Sequence, residues 1–144
     1  MGEKKRKIFE TGVAKSWIDA DGIAHIYFKA NEDISPRDVD EYLKNAAKIS
    51  EGKSYPVLMD TRDVGFIYEM SLNTMISKEA IKVTKASAIL LSNPPMRVRV
   101  FINFFLLLQK KPFPIKAFTD EKKAIAWLKT FNEPEKKLLQ QLKL

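Results

Sequence analysis

The segment Tyr55 to Leu72, YPVLMDTRDVGFIYEMSL, constrains the fold of this chain more than any other part of the sequence. An apolar run typical of a buried strand comes first, a charged turn with Asp60, Arg62 and Asp63 follows, and a helix is predicted to begin near Ser71. A strand that enters a helix through a polar turn is where α/β folds place their working residues. The segment therefore predicts an α/β fold and makes this turn the first candidate for a functional site.

The residues before this segment predict a β-hairpin and a helix. Residues 12–29 contain two strand-like runs joined by Asp21-Gly22, a pair that favours tight hairpin turns because glycine tolerates a positive φ. The helix is predicted to begin at Ser35-Pro36, since serine caps helices, proline suits the first helical position, and Asp38 completes a capping-box spacing. Gly52 is the predicted stop.

Helices and strands are predicted to alternate through the rest of the chain. The predicted elements are a strand at 56–60, a helix at 71–84, a strand at 86–91, a helix at 96–109, a strand at 115–118, a helix capped by Thr119 and a last helix opening at Pro134. The order β-β-α-β-α-β-α-β-α-α implies parallel crossovers and a sheet covered by helices. We expect one domain over 1–144, with a flexible basic N-terminal segment at 1–10 and a C-terminal helix at 134–144.

Composition excludes several kinds of site. The chain has no cysteine, which excludes disulfide and thiolate sites, and its one histidine, His25, excludes a multi-histidine metal site within a single chain. Its five glycines never cluster into a phosphate-binding loop. We expect no cofactor and no metal. No apolar run reaches the ~18 residues of a membrane span and no signal peptide is visible, so the expected location is the cytoplasm.

The net charge of +7 raises the question of an acidic partner. The basic residues are scattered in pairs, such as Lys110 with Lys111 and Lys122 with Lys123, and acidic residues interrupt most stretches. Nucleic-acid-binding proteins show a clustered basic footprint and a recognisable motif, and neither is visible here. We therefore interpret the charge as a lysine-rich solvated surface and expect no nucleic-acid partner.

The order of elements and the central segment LMDTRDVGFIYEMSL resemble the STAS domain, the fold of bacterial anti-sigma-factor antagonists. The resemblance extends roughly from Thr11 to Phe131. Antagonists typically have here a strand ending in Asp-Leu-Ser, an apolar spacer, and Asp-Ser-Ser-Gly-Leu opening a helix; Asp60 and Leu72 match the two ends of that pattern. The resemblance implies a STAS-like α/β fold with a mixed sheet of about five strands, starting with the hairpin and continuing as β-α repeats, with helices packed on it.

The chain departs from the family motif at the phosphorylation switch. Glu69 stands at the phospho-acceptor serine, Tyr68 at the second aspartate and Arg62 at the first serine. Ser71 lies two residues beyond the acceptor position, where helix capping is the commoner role for a serine. The resemblance thus implies a diverged bacterial member of unknown function without an intact phospho-switch.

The candidate functional turn comprises Asp60, Arg62, Asp63, Glu69 and Ser71. Two of its carboxylates could form an acid/base pair or a metal site. In the structural alternative, Asp60 accepts backbone N–H groups while Arg62 pairs with Asp63 or Glu69. One acidic cluster without a nucleophile or a histidine partner falls short of a catalytic constellation, so we predict no catalytic residue.

Residues 96–108, MRVRVFINFFLLL, form the most apolar predicted helix, and its apolar positions extend around more than one helical face. Such a helix must be buried on several sides. A candidate interface or apolar-ligand surface is formed by Phe101, Phe104, Phe105 and Leu108. The alternative is that the last helix covers this segment within the same chain. We favour burial by protein over burial by lipid, because apolar helices of ~10–14 residues are usually core elements.

These observations predict a non-enzymatic STAS-like protein that acts in protein–protein interaction or regulation, as a homodimer or with a protein partner. The alternative is the binding of a lipid or another apolar small molecule. An enzyme that uses Asp60, Asp63 and Glu69 is the third reading.

Overall fold

The computed structural model describes residues 8–29, 33–63, 66–67, 77–92 and 112–132. The strands in these ranges are β1 (Phe9–Glu10), β2 (Ala14–Ile18), β3 (Ala24–Phe28), β4 (Asp33–Ile34), β5 (Tyr55–Asp60), β6 (Phe66–Ile67), β7 (Thr84–Leu90) and β8 (Ile115–Phe118). The helices are α1 (Pro36–Ser50), α2 (Lys78–Val83) and α3 (Glu121–Lys129), followed by a 3₁₀ helix at Thr130–Asn132. No helix within the described ranges has the length and apolar character needed to cross a membrane.

Six of the described strands form one mixed sheet in the order β1-β2-β3-β5-β7-β8. The pairs β1-β2 and β2-β3 are antiparallel, whereas β3-β5, β5-β7 and β7-β8 are parallel. The strands β4 and β6 form a separate parallel pair. The predicted parallel pairing of the strands at 56–60 and 86–91 is thereby confirmed, and both strands lie inside the sheet.

The sequence did not predict the strand β1. Phe9 pairs with Ser16 and Glu10 pairs with Lys15, so the last residues of the segment expected to be flexible form an edge strand. The Lys29 ammonium lies 2.8 Å from the Glu10 carboxylate and reinforces this pairing. Two residues carry no periodic pattern, which is why the sequence did not indicate this strand.

The predicted hairpin is confirmed, and Asp19 organises its turn. The Asp19 carboxylate accepts hydrogen bonds from the backbone N–H groups of Asp21, at 2.8 Å, and Ile23, at 3.1 Å. Gly22 follows with a φ of +76°, a conformation that glycine adopts without strain. This turn fixes the register that places Trp17 opposite His25.

The start of α1 is capped as predicted, whereas the start of α3 is not. Ser35 and Asp38 form the capping box at α1, with the Asp38 carboxylate 2.9 Å from the backbone nitrogen of Ser35. At α3 the capping residue is Asp120 rather than Thr119: its carboxylate accepts from the backbone N–H groups of Lys122 and Lys123. The carboxylate one residue later reaches the free N–H groups of the first turn, so the prediction of Thr119 was wrong.

The strand β7 begins earlier than the predicted 86–91, because α2 passes directly into it without a loop. The described part of the predicted helix at 71–84 is helical from Lys78 to Val83 and is capped by Ser77. The predicted helices at 96–109 and 134–144 lie outside the described residues, and so does the candidate apolar surface of Phe101, Phe104, Phe105 and Leu108.

The sheet is buried on both faces by separate apolar clusters. The cluster on the α1 and α2 side includes Ile26, Phe28, Val39, Tyr42, Leu43, Val57, Met59, Ala80 and Val83. The cluster on the α3 side includes Ile23, Leu58, Ala86, Ala88, Leu90, Ala124 and Leu128. Since side chains alternate along a strand, Asp60 of β5 and His25 and Tyr27 of β3 project from the α3 face.

Candidate functional site

A cleft beside α3 collects aromatic and charged side chains from four elements. Helix α3 packs on β5, β7 and β8. Next to it, a cleft of about 240 Å³ opens over β2 and β3. We call it the α3 cleft; the side chains used below are those of Trp17, Asp19, His25, Tyr27, Asp60 and Glu121.

Trp17 and His25 form an aromatic surface on one side of the cleft. Their rings are stacked at 5.0 Å between centroids with 6° between planes. The His25 Nε2 lies 2.7 Å from Asp19 Oδ2, and each of these two side chains is 18% exposed. The imidazole is therefore held in place between the indole ring and a carboxylate that the hairpin turn already orients.

Asp60 and Arg62 form the centre of the candidate turn. The Arg62 Nε donates to Asp60 Oδ1 at 2.9 Å and Nη2 donates to Oδ2 at 2.7 Å, which makes the pair bidentate. The same Nη2 donates to Glu121 Oε1 at 3.0 Å. Hydrogen bonding and the nearby carboxylates raise the pKa of the Arg62 guanidinium, which stays charged. This network joins the end of β5 to the start of α3.

The expected roles in this turn are confirmed for Asp60 and corrected for Arg62. Asp60 does accept a loop backbone N–H, that of Arg62, at 3.2 Å. Arg62 pairs with Asp60 and Glu121 rather than with Asp63, because the turn brings its guanidinium back to the strand end. Glu69 and Ser71 lie outside the described residues.

Asp63 instead pairs with a tyrosine of β3. The Tyr27 hydroxyl donates to Asp63 Oδ2 at 2.7 Å. This hydrogen bond raises the pKa of Tyr27, because ionisation would remove the donor and place a second negative charge beside the carboxylate. Tyr27 is thereby disfavoured as a nucleophile or a base.

Thr61 anchors the turn to the sheet from inside. It is buried, its hydroxyl donates to the Leu90 carbonyl at 2.8 Å, and its backbone N–H donates to the same oxygen at 3.0 Å. Both donors are satisfied by the end of β7, so the residues that follow Thr61 start from a fixed position.

The described lining of the cleft offers carboxylates, aromatic faces, one imidazole and one phenol hydroxyl. It contains no described serine, threonine or lysine that could act as a nucleophile. No three or more acidic or histidine residues of the described ranges are grouped so that they could hold a metal ion.

The sequence indicated the turn but not the cleft that faces it. Trp17 and His25 are cross-strand partners at equal distances from a recognised hairpin turn, a signal from which their contact could have been inferred. Tyr27 and Glu121 are 36 and 59 residues from their partners in the turn, and no local pattern could connect residues so far apart.

Comparison with known proteins gives a family match and a fold match. A family model described as "Domain of unknown function (DUF7793)" matches residues 16–132. No curated protein matches the chain significantly. Among solved structures, an uncharacterized protein of the DUF3478 family with a SpoIIAA-like fold, from Shewanella loihica, is 16% identical and superposes with a TM-score of 0.52 over 89% of this chain and 98% of its own.

An anti-sigma factor antagonist from Mycobacterium paratuberculosis is 12% identical, with a TM-score of 0.52 over 86% of this chain and 92% of its own. These similarities show the SpoIIAA-like STAS fold, as the resemblance of the central segment predicted. At such low identity they show the fold alone.

Proposed function

The chain belongs to the DUF7793 family of unknown function, and from that premise we propose that it is a non-enzymatic protein-interaction module that acts in regulation through the α3 cleft and the turn at residues 60–63. The observation that carries the proposal is that the charged side chains of the turn are paired within the protein. Arg62 is held by Asp60 and Glu121, and Asp63 accepts from Tyr27. Such a turn presents a fixed surface to another molecule. One structural neighbour is an anti-sigma factor antagonist, which supports interaction with another protein by analogy of fold.

The pairing argues against the enzyme reading. A general acid or base must have an accessible site for the proton it transfers. Asp60 is engaged on both oxygens by Arg62, and one oxygen of Asp63 accepts from Tyr27. An enzyme that used Asp60 as a base would have to break its pairing with Arg62 first.

The homodimer is part of the proposal on the strength of the sequence. The residues proposed for its interface are Phe101, Phe104, Phe105 and Leu108. A symmetric contact lets one apolar patch bury itself on its copy.

The lipid alternative depends on the same segment, residues 96–108. In the described part, the α3 cleft has carboxylates in its lining, which suit an acyl chain poorly. We also propose the cytoplasm as the site of action.

A photo-crosslinking experiment tests the interaction proposal. A photoreactive benzophenone amino acid is placed at Lys122, an exposed residue of α3 next to the lining residue Glu121, or at Glu79, an exposed residue of α2 on the opposite face of the sheet. In cells of the native host, we expect irradiation to give a discrete protein adduct with the probe at Lys122 and none with the probe at Glu79. Equal adducts at both positions, or none at Lys122, would contradict the proposal.

Native mass spectrometry of the purified protein distinguishes the proposed homodimer from the lipid-binding alternative. The proposal predicts a protein free of lipid mass and a dimer. A monomer that carries a co-purified lipid would support the alternative instead.

A further inference from the structure

We infer that the α3 cleft receives an arginine or lysine side chain from a segment of a partner protein. The inference rests on the proposed function and gives the chemistry of the partner. It is carried by three properties of the cleft: the charge of its lining, its aromatic rings and its volume.

The charge of the cleft lining is opposite in sign to the net charge of the chain. The chain has a net charge of +7. Among the described residues, the lining carries the carboxylates of Asp19, Asp60 and Glu121, and Asp63 lies next to it through its bond with Tyr27. The guanidinium of Arg62 pairs with Asp60 and Glu121. Opposite charges across an interface steer association and exclude wrong partners. An acidic ligand would meet these carboxylates directly, whereas a basic side chain is complementary to them.

The carboxylates keep capacity for an incoming donor. Glu121 gives one oxygen to Arg62, and its side chain is 52% exposed. Asp63 gives one oxygen to Tyr27. Each carboxylate can accept several hydrogen bonds, so an arriving ammonium or guanidinium finds acceptors without breaking the existing pairs.

The aromatic surface and the size of the cleft favour a side chain over a metabolite. Trp17 and His25 stack on each other with nearly parallel rings 5.0 Å apart, and a guanidinium group can stack on a free face of such a ring. At about 240 Å³ the cleft is smaller than the ~300–1,000 Å³ typical of small-molecule sites. One extended basic side chain fits this space, with the rest of its segment outside.

The two tryptophans make the inference testable in one spectrum. Trp17 lines the cleft. Trp127, on α3, packs instead against Phe118 and Phe131. The probe is the blocked peptide acetyl-Gly-Arg-Gly-Arg-Gly-amide, titrated into ¹⁵N-labelled full-length protein at low salt. We expect the indole N–H signal of Trp17 to shift in a saturable way while that of Trp127 stays in place. The same peptide with glutamate in place of arginine should move neither signal.

Glu121→Gln and Glu79→Gln form a matched pair, since each removes an acidic residue from the first turn of a helix. Glu121→Gln should weaken peptide binding roughly threefold to fivefold, the usual effect of one exposed charge pair, and Glu79→Gln should leave it unchanged. Raising the salt concentration to 1 M should weaken binding further, because it screens the carboxylates.

Three results would overturn the inference: no saturable shift of Trp17, equal shifts of both tryptophans, or equal effects of the two substitutions. If adducts still form with the probe at Lys122 while the arginine peptide fails, the interaction module stands and only the basic character of its partner is wrong. If the peptide binds while no adduct forms at Lys122, the cleft binds basic groups without the proposed protein partner.

Discussion

Tyr27 acquires its acid–base behaviour from Asp63, a residue 36 positions further along the chain. Nothing around Tyr27 in the sequence indicates this, since its neighbours are those of an ordinary strand. A carboxylate that accepts the phenol hydrogen stabilises the neutral form of the phenol. At the residue scale, chemical character therefore comes from contact across the fold.

Replacing Asp63 with Asn should lower the pKa of Tyr27 toward the ordinary value of 10.0, because it replaces the charged acceptor of the hydroxyl hydrogen bond by a weaker neutral one and removes the nearby negative charge. Tyrosine ¹³Cζ chemical shifts followed against pH measure this directly. Tyr42, whose pKa is raised by burial, is the internal control and should not move. An unchanged titration of Tyr27 would contradict the assignment of Asp63 as the cause.

The same bond has a consequence for stability at alkaline pH. The pKa of Tyr27 in the folded state lies above the value of 10.0 expected in the unfolded chain. Its contribution is therefore complete below pH 10 and is lost as the pH rises through the folded-state value. Asp63→Asn should make the free energy of unfolding less sensitive to pH above 10, as measured by urea denaturation.

Glu69 stands at the position of the phospho-acceptor serine in the resemblance to antagonists, and it cannot be phosphorylated. Incubation with the serine kinases of antagonist pathways should therefore add no phosphate, which intact mass measures. The carboxylate supplies one negative charge against ~1.5 to 2 for a phosphate, so it imitates the modified state weakly. Stoichiometric phosphorylation of Ser71 would contradict this prediction.

At the scale of elements, helix α3 shows how closely capping preferences predict the first residue of a helix. The sequence predicts an amphipathic helix that starts after Thr119, and the structure begins it at Glu121 with Asp120 as the cap. Threonine and aspartate both cap helices, so the pattern alone did not distinguish adjacent candidates. The choice depends on which side chain the backbone after β8 directs at the free N–H groups.

Asp120→Ala should lower the free energy of unfolding by about 1 kcal/mol, because two backbone N–H groups of the first turn lose their acceptor. Thr119→Ala, one residue earlier, should change it by less than about 0.5 kcal/mol. Urea denaturation of both variants against the original protein measures the two values. The reverse ranking would support Thr119 as the cap.

At the scale of the whole molecule, the two faces of the sheet do different things. The α1 and α2 side is an apolar core, whereas the α3 side is apolar under the helix and charged and aromatic beside it. The contrast arises because α3 rests on β5, β7 and β8. The strands β2 and β3 beyond them therefore provide the floor of the cleft.

The proposed homodimer is tested at this same scale. Phe104→Asp or Phe105→Asp should convert a dimer into a folded monomer, because an unpaired charge would enter a contact that buries at least ~1,000 Å². Light scattering at high micromolar concentration measures the oligomeric state, and circular dichroism measures folding. Unfolding of both variants would place the segment in the monomer core, and a monomeric unsubstituted protein would refute the dimer.

Local and periodic sequence signals were sufficient to predict the α/β class, the hairpin, the cap at Ser35 and the strand at 115–118. Each depends on neighbours within a few residues, whose sterics and hydrogen bonding are readable from sequence. The STAS-like order followed from the same signals taken in series. The candidate turn at Asp60, Arg62 and Asp63 was recognised for the same reason.

The partners of that turn were decided only by the tertiary structure. Parallel pairing of β3 with β5 places Tyr27 opposite Asp60, within reach of Asp63, and the packing of α3 brings Glu121 to Arg62. These contacts depend on strand order and helix placement, which are set by burial of apolar surface over the whole chain rather than by any local pattern. The turn could therefore be predicted from its own residues, whereas the cleft beside it exists only once the sheet and α3 have assembled.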